Sequence, residues 1–186
     1  FGWAAAVSGN TALVGAPWAV SQTGKAYVFV RSGTTWTEQA VLMAGDAAGD
    51  SRFGGTVALS GDGNTAVIGA QESDVNGIVN DGAAYVFVRS GSTWTQQQKL
   101  TGGVHTGNGY SFGSAVAISG ETVVVGALGE NNVAGTAHVF VRSGTTWTEQ
   151  ALLTPSDPTQ GARFGSGVAI DGETLLVGAT TGPGGG

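Results

Sequence analysis

The sequence predicts an all-β protein assembled from repeated four-stranded antiparallel sheets, and three observations carry that prediction. One unit is written almost identically three times, as AYVFVRSGTTWTEQA at 26–40, AYVFVRSGSTWTQQQ at 84–98 and AHVFVRSGTTWTEQA at 137–151. Phe-Gly recurs at 1–2, 53–54, 112–113 and 164–165, and Gly-Ala at 15–16, 69–70, 126–127 and 178–179. The runs between these landmarks are short, rich in Val, Ala and Thr, and show no helical periodicity with caps. Steps of 52, 59 and 52 residues between the Phe-Gly pairs mark a repeat architecture.

Within a repeat the strand signals come in a constant order. The first strand follows Phe-Gly and is short and apolar, for example AAAVS at 4–8 and TVALS at 56–60. A Gly/Asn/Asp turn then leads into TALVGA, TAVIGA, TVVVGA or TLLVGA, at 11–16, 65–70, 122–127 and 174–179. Such turns between apolar runs are hairpin signals. Loops that differ between repeats follow, at 17–24, 71–82 and 128–135. The third strand, AYVFV or AHVFV, is apolar on both faces up to Arg31, Arg89 or Arg142. The fourth starts at Trp36, Trp94 or Trp147 and alternates with polar residues.

This gradient dictates the architecture. A strand that is apolar on both faces must lie between two other sheets, whereas charged outer strands suit an exposed edge. Four antiparallel strands, dry inside and wet outside, describe a β-propeller blade stacked between neighbours. Val28, Phe29, Val30 and their equivalents are expected to be buried, and Glu38, Gln97 and Glu149 to face water. The repeats run 1–52, 53–111 and 112–163, with half a repeat at 164–179 and a Gly-rich tail at 180–186. That makes about three and a half blades.

Composition narrows the function. Gly numbers 34 of 186 residues and Pro 4, so tight turns abound without a collagen period. The net charge is −6 with no run of either sign, which argues against nucleic acid and against anionic membranes. Cysteine is absent, which removes disulfides, thiol catalysis and Cys-based zinc sites. No apolar run is long enough to span a membrane as a helix. No signal peptide is visible at Phe1, and a chain starting there reads as one that begins at a processing boundary.

The order Phe-Gly, short strand, turn, strand ending in Gly-Ala-(Pro), then G-x-x-YVF resembles the FG-GAP repeat. The first repeat carries it most fully, with Phe1-Gly2 and Gly15-Ala16-Pro17; Gln71, Leu128 and Thr180 replace the Pro elsewhere. The resemblance covers essentially the whole chain. It implies a seven-bladed integrin-like propeller, an extracellular or cell-surface location, and a ring completed by further repeats or by another chain. It also implies adhesion or protein interaction rather than catalysis. Many relatives carry a calcium loop between the first two strands, but here that hairpin is shortened to VSGNT, SGDGNT, ISGET and IDGET. Calcium needs six to eight oxygens, so its binding does not carry over to these turns.

Candidate site residues are few. Asp74, Asn76 and Asp81 look like part of a calcium loop, but Ile78 and Val79 occupy ligand positions, so a solvated loop with Asx turns is the simpler reading. No other cofactor is expected. His138 stands where Tyr27 and Tyr85 stand in the other repeats, as a strand residue filling an aromatic slot; His105 lies in a Gly-rich connector. The Ser-Gly-Thr-Thr-Trp turn is similar to the end of the sialidase Asp-box but lacks its Asp, and its Trp is expected to pack across the outer strand. No nucleophile motif supports a hydrolytic triad. Partner contacts are expected in the variable loops, at Trp18, Glu72, Asp74, Glu130 and Asn131. The ligand is a protein or, as the alternative, a glycan stacking on Trp18 or Trp3.

Overall fold

The computed structural model describes residues 1–103, 109–130, 134–158 and 160–180. The first sheet contains β1 (Ala5–Ser8), β2 (Thr11–Ala16), β3 (Lys25–Ser32) and β4 (Thr35–Leu42). The second contains β5 (Thr56–Leu59), β6 (Thr65–Ala70), β7 (Ala83–Ser90) and β8 (Thr93–Leu100). The third contains β9 (Phe112–Ser119), β10 (Thr122–Ala127), β11 (Thr136–Ser143) and β12 (Thr146–Leu153), and β13 (Phe164–Asp171) pairs with β14 (Thr174–Ala179). Strands follow chain order in every sheet, and every pair is antiparallel. Among the described residues these are propeller blades, three whole and one of two strands. Their first strands adjoin in turn, β1 on β5, β5 on β9 and β9 on β13.

The double-sided apolar strands are explained by this stacking. Ala66, Ile68, Tyr85 and Phe87 point into the core shared with the first blade, among Leu13, Val28, Leu42 and Phe53. Their neighbours Val67, Ala84 and Val86 point the other way, toward Phe112, Ile118, Val123 and Phe140 of the third blade. The phenylalanine of each Phe-Gly seals its own repeat: Phe53 lies 5.5 Å edge-on to Tyr85, as Phe112 lies 5.0 Å from His138. With a blade on each side Phe53 is 0% exposed; Phe1, on the side of the first blade that no described sheet covers, is 76% exposed.

The glycines of Phe-Gly and Gly-Ala mark where backbones touch. A Cβ on Gly15 would meet the Gly54 carbonyl oxygen at 2.0 Å, one on Gly69 that of Gly113 at 2.2 Å, and one on Gly126 that of Gly165 at 2.0 Å. Only a residue without a side chain lets consecutive blades approach this closely. Beside each contact a parallel bridge joins the blades, pairing Gly24 with Phe53, Gly82 with Phe112 and Gly135 with Phe164.

The repeated arginines tie each blade's inner and outer hairpins together. Arg31 and Arg89 bond the turn residues Asn10 and Asn64 at 2.9 and 2.8 Å, and Arg142 bonds Glu121. Each guanidinium also lies over the tryptophan of its own outer hairpin, at 5.5, 5.4 and 5.3 Å. The tryptophans therefore pack across the outer strand, as the sequence suggests.

Two expectations are corrected. Val28, Val86 and Val139 are buried, but Phe29 and Val30, with Val88 and Val141, are only half-buried. Phe29 faces the side of the first blade that no described sheet covers, and the three valines sit at the outer end of their strands, beside the turn. Glu38 and Glu149 are exposed, but Gln97 is half-buried. In each outer hairpin the register shifts, with Val28 opposite Ala40 and Phe29 opposite Glu38, which leaves Gln39 as an inserted residue. Gln97 and Gln150 are inserted in the same way. A bulge re-aims its extra side chain, here toward the next blade: Gln39 accepts from Trp94 Nε1 at 3.1 Å and Gln97 from Trp147 Nε1 at 2.8 Å.

Candidate functional site

Three segments from two repeats meet between the first and second blades. The loop at 17–24 is folded by short-range bonds, Thr23 N–H to Val20 O at 3.1 Å and Gly24 N–H to Ala19 O at 2.9 Å. Val20, Ser21 and Gln22 there hold φ of 51°, 51° and 68°, a left-handed stretch unusual for side-chain-bearing residues. The connection between blades ends in Asp50-Ser51-Arg52, with Arg52 N–H donated to Gln22 O at 2.9 Å. The loop at 71–82 carries an Asn76-Gly77 turn closed by paired bonds between Val75 and Ile78, the backbone such a dipeptide favours.

Together these segments enclose a cleft of about 440 Å³ lined by Gln22, Asp50, Arg52, Glu72, Asp74 and Asn80, with Gly49 and Val79. Arg52 is its organising side chain. Its Nη1 lies 2.5 Å from Glu72 Oε1, and its guanidinium lies 4.3 Å over the Trp18 ring. Trp18, 48% exposed, meets Trp3 edge-on at 6.1 Å, and the two line a smaller pocket that shares Arg52 with the cleft. Asp74 is exposed and accepts from Asn80 N–H at 2.9 Å, which holds the loop wall upright. Three carboxylates, Asp50, Glu72 and Asp74, line the cleft with one guanidinium, so it is acidic.

The expected contact residues Trp18, Glu72 and Asp74 thus come together at one place. The three calcium candidates are placed apart in role: Asp74 lines the cleft, Asn76 sits at an exposed turn tip, and Asp81 is buried. Among the described residues no three His, Cys, Asp or Glu side chains form a metal-binding group. Glu130 is not presented outward as expected; it is buried and turned onto His138, because that ring brings a polar edge where tyrosines stand elsewhere. Asn131 and His105 lie outside the described residues.

Gln22, Asp50, Arg52 and Asn80 were not legible as site residues. One signal was available: Asp50 holds φ of 61° at the position that Gly109 and Gly161 fill in the later repeats. A left-handed aspartate costs about 1 kcal/mol against glycine.

On the second blade, Lys99 Nζ lies 2.6 Å from Asp46 Oδ2 of the preceding connection and 5.6 Å from the Tyr85 ring. Partial burial works against ionisation of Asp46, but hydrogen bonds from Lys99 and Tyr85 and the Lys99 charge outweigh it and hold the carboxyl below its ordinary range. This pair fastens one blade to the next.

The FG-GAP repeat model matches residues 1–29, 36–87, 94–140 and 147–186. The chain belongs to the FG-GAP repeat family. None of the curated proteins compared with it matches. FG-GAP repeats build β-propeller modules, often ones that serve protein interaction and are generally not enzymes. Among the described residues no helix is long and apolar enough to cross a membrane.

Proposed function

We propose that this FG-GAP chain is a non-enzymatic interaction module of an extracellular or cell-surface protein, and that the cleft between its first two blades receives a basic segment of a protein partner. The observation that carries the reading is the contrast between frame and loops. The blade residues are repeated nearly letter for letter, while Gln22, Asp50, Glu72, Asp74 and Asn80 of the cleft wall lie in segments that differ between repeats; Arg52 recurs as Arg163. Loops on a rigid scaffold are where binding is built. The excess of carboxylates over guanidinium favours cationic side chains, which are steered there at low salt.

An octalysine peptide titrated calorimetrically against the chain tests this. Binding is expected to weaken with salt and to fall at least tenfold in Asp50→Asn/Asp74→Asn, which removes two charges but keeps hydrogen-bonding capacity. Asp171→Asn/Glu173→Asn, in an exposed turn of the last hairpin, serves as control. Equal loss in both double variants would reduce the effect to overall charge and sink the proposal.

Trp18 and Trp3, both exposed and lining the smaller pocket that shares Arg52 with the cleft, favour a second reading, a glycan held by stacking and by the amide and carboxylate groups. A glycan array with wild type and Trp18→Ala separates the two. Calcium contributes little under either reading. A chelator is expected to leave the melting temperature unchanged, whereas a site saturated a hundredfold above Kd would add about 2.7 kcal/mol.

A further inference from the structure

The third blade departs from the others at one buried position. Tyr27 and Tyr85 are replaced by His138, which is 2% exposed and lies edge-on to Phe112 and stacked 6.4 Å from Phe140. Both ring nitrogens face carboxylates: Nε2 is 2.8 Å from Glu130 Oε2, and Nδ1 is 2.9 Å from Glu149 Oε1. Thr136 Oγ1 donates to the same Glu130 oxygen at 2.5 Å.

A neutral imidazole has one N–H and can donate to only one of two carboxylates. Satisfying both ionised glutamates takes the doubly protonated ring. The two glutamates come from different segments, Glu130 from the loop between β10 and β11 and Glu149 from β12. The loop is closed at its other end by Gly135 N–H donating to Glu130 O at 3.0 Å. We infer that the proton on His138 is a latch: it clamps Glu130 to the third and fourth strands of its blade, and its loss at rising pH releases Glu130 and the Gly135–Glu130 closure.

The groups facing the ring are Glu130 from the loop, Glu149 from β12, Thr136 from its own strand and the uncharged Phe112 from β9. Burial opposes the charge, but the hydrogen bonds and negative charges of Glu130, then Glu149, outweigh it and raise the His138 pKa. The sign follows. A folded-state pKa above the unfolded value of ~6.5 gives stabilisation that is complete below the unfolded value and is lost as pH rises through the folded one. Glu130 is therefore held below the raised His138 titration and freed above it. Since this loop is one of the three that vary between repeats, a partner bound through it would be bound in a proton-dependent way. The second blade provides an internal reference, because Tyr85 fills the slot and Gly82 N–H makes the matching loop-closing bond to Ser73 O at 2.9 Å.

Imidazole resonances of the ¹⁵N-labelled chain, with His138 assigned by its disappearance in His138→Tyr, give the titration. Amide exchange at Gly135 relative to Gly82 gives the loop, and the ratio cancels intrinsic base catalysis. His138 is expected to titrate above the ordinary histidine range, and Glu130→Gln to move it back down. The Gly135/Gly82 exchange ratio is expected to rise by up to about tenfold per unit of pH between the ordinary histidine value and that titration, to level off above it, and to become flat in His138→Tyr. A His138 titration at or below the ordinary range, or a wild-type ratio that does not change with pH, would overturn the inference; both readings use the wild-type chain, so a variant that fails to fold leaves the test intact.

Discussion

Gly15, Gly69 and Gly126 stand where a side chain has no room. Each backs onto a carbonyl oxygen of the following blade, so an added methyl must push two sheets apart rather than a flexible side chain aside. Gly69→Ala is expected to lose about 1–3 kcal/mol or more by this overpacking. Gly61→Ala, whose Cβ would meet nothing within 4 Å, should stay within about 0.5 kcal/mol of wild type. Urea unfolding of the two variants checks the pair; equal stabilities would mean that the sheets do not meet at these glycines. Such positions were legible as landmarks, because the repeat wrote them out, yet their purpose was not. A glycine in sequence signals a turn and an intimate backbone contact alike, and only the packing of blades tells Gly69 from Gly61. His138 fills the aromatic slot that its place in the repeat implies, but its two carboxylate partners come from residues 8 before and 11 after it, which no periodicity brings together.

The outer hairpin is the element where sequence and structure part most. Alternating Thr, Glu and Gln suggested a wet edge, and for Glu38 and Glu149 that holds. The inserted Gln39 and Gln97 instead reach the tryptophan of the next blade, because the bulge turns them off the alternating pattern. A one-residue insertion leaves no trace in composition, so period-two reasoning assigns the wrong face. Gln97→Ala would strip the acceptor from Trp147 Nε1, on a side chain 3% exposed. An expected loss of about 1–3 kcal/mol follows from the unsatisfied donor. Gln39→Ala should cost less, because Trp94 is only half-buried. The cleft was illegible for a related reason. Its walls come from the 17–24 loop, the 50–52 connection and the 71–82 loop, and the shared φ > 0 geometry that brings them together is a property of coordinates.

For the whole molecule, the consequence of blades that are apolar on both faces is that a stack has two ends. On the middle blade β6 is buried throughout, whereas β14 alternates between exposed and half-buried, with Leu176 68% exposed. At the opposite end Phe1, Trp3 and Val7 are open to solvent. Apolar faces of this kind are interaction surfaces or aggregation liabilities, and we propose that further repeats or another chain cover them to complete the ring. Light scattering on the 186-residue chain, with intact mass in parallel, tests this most directly. The account predicts a species heavier than 18.4 kDa, with self-association that grows with concentration. A monomeric chain of that mass, soluble and unfolding cooperatively across the same concentrations, would contradict it, because the open faces would then need no cover.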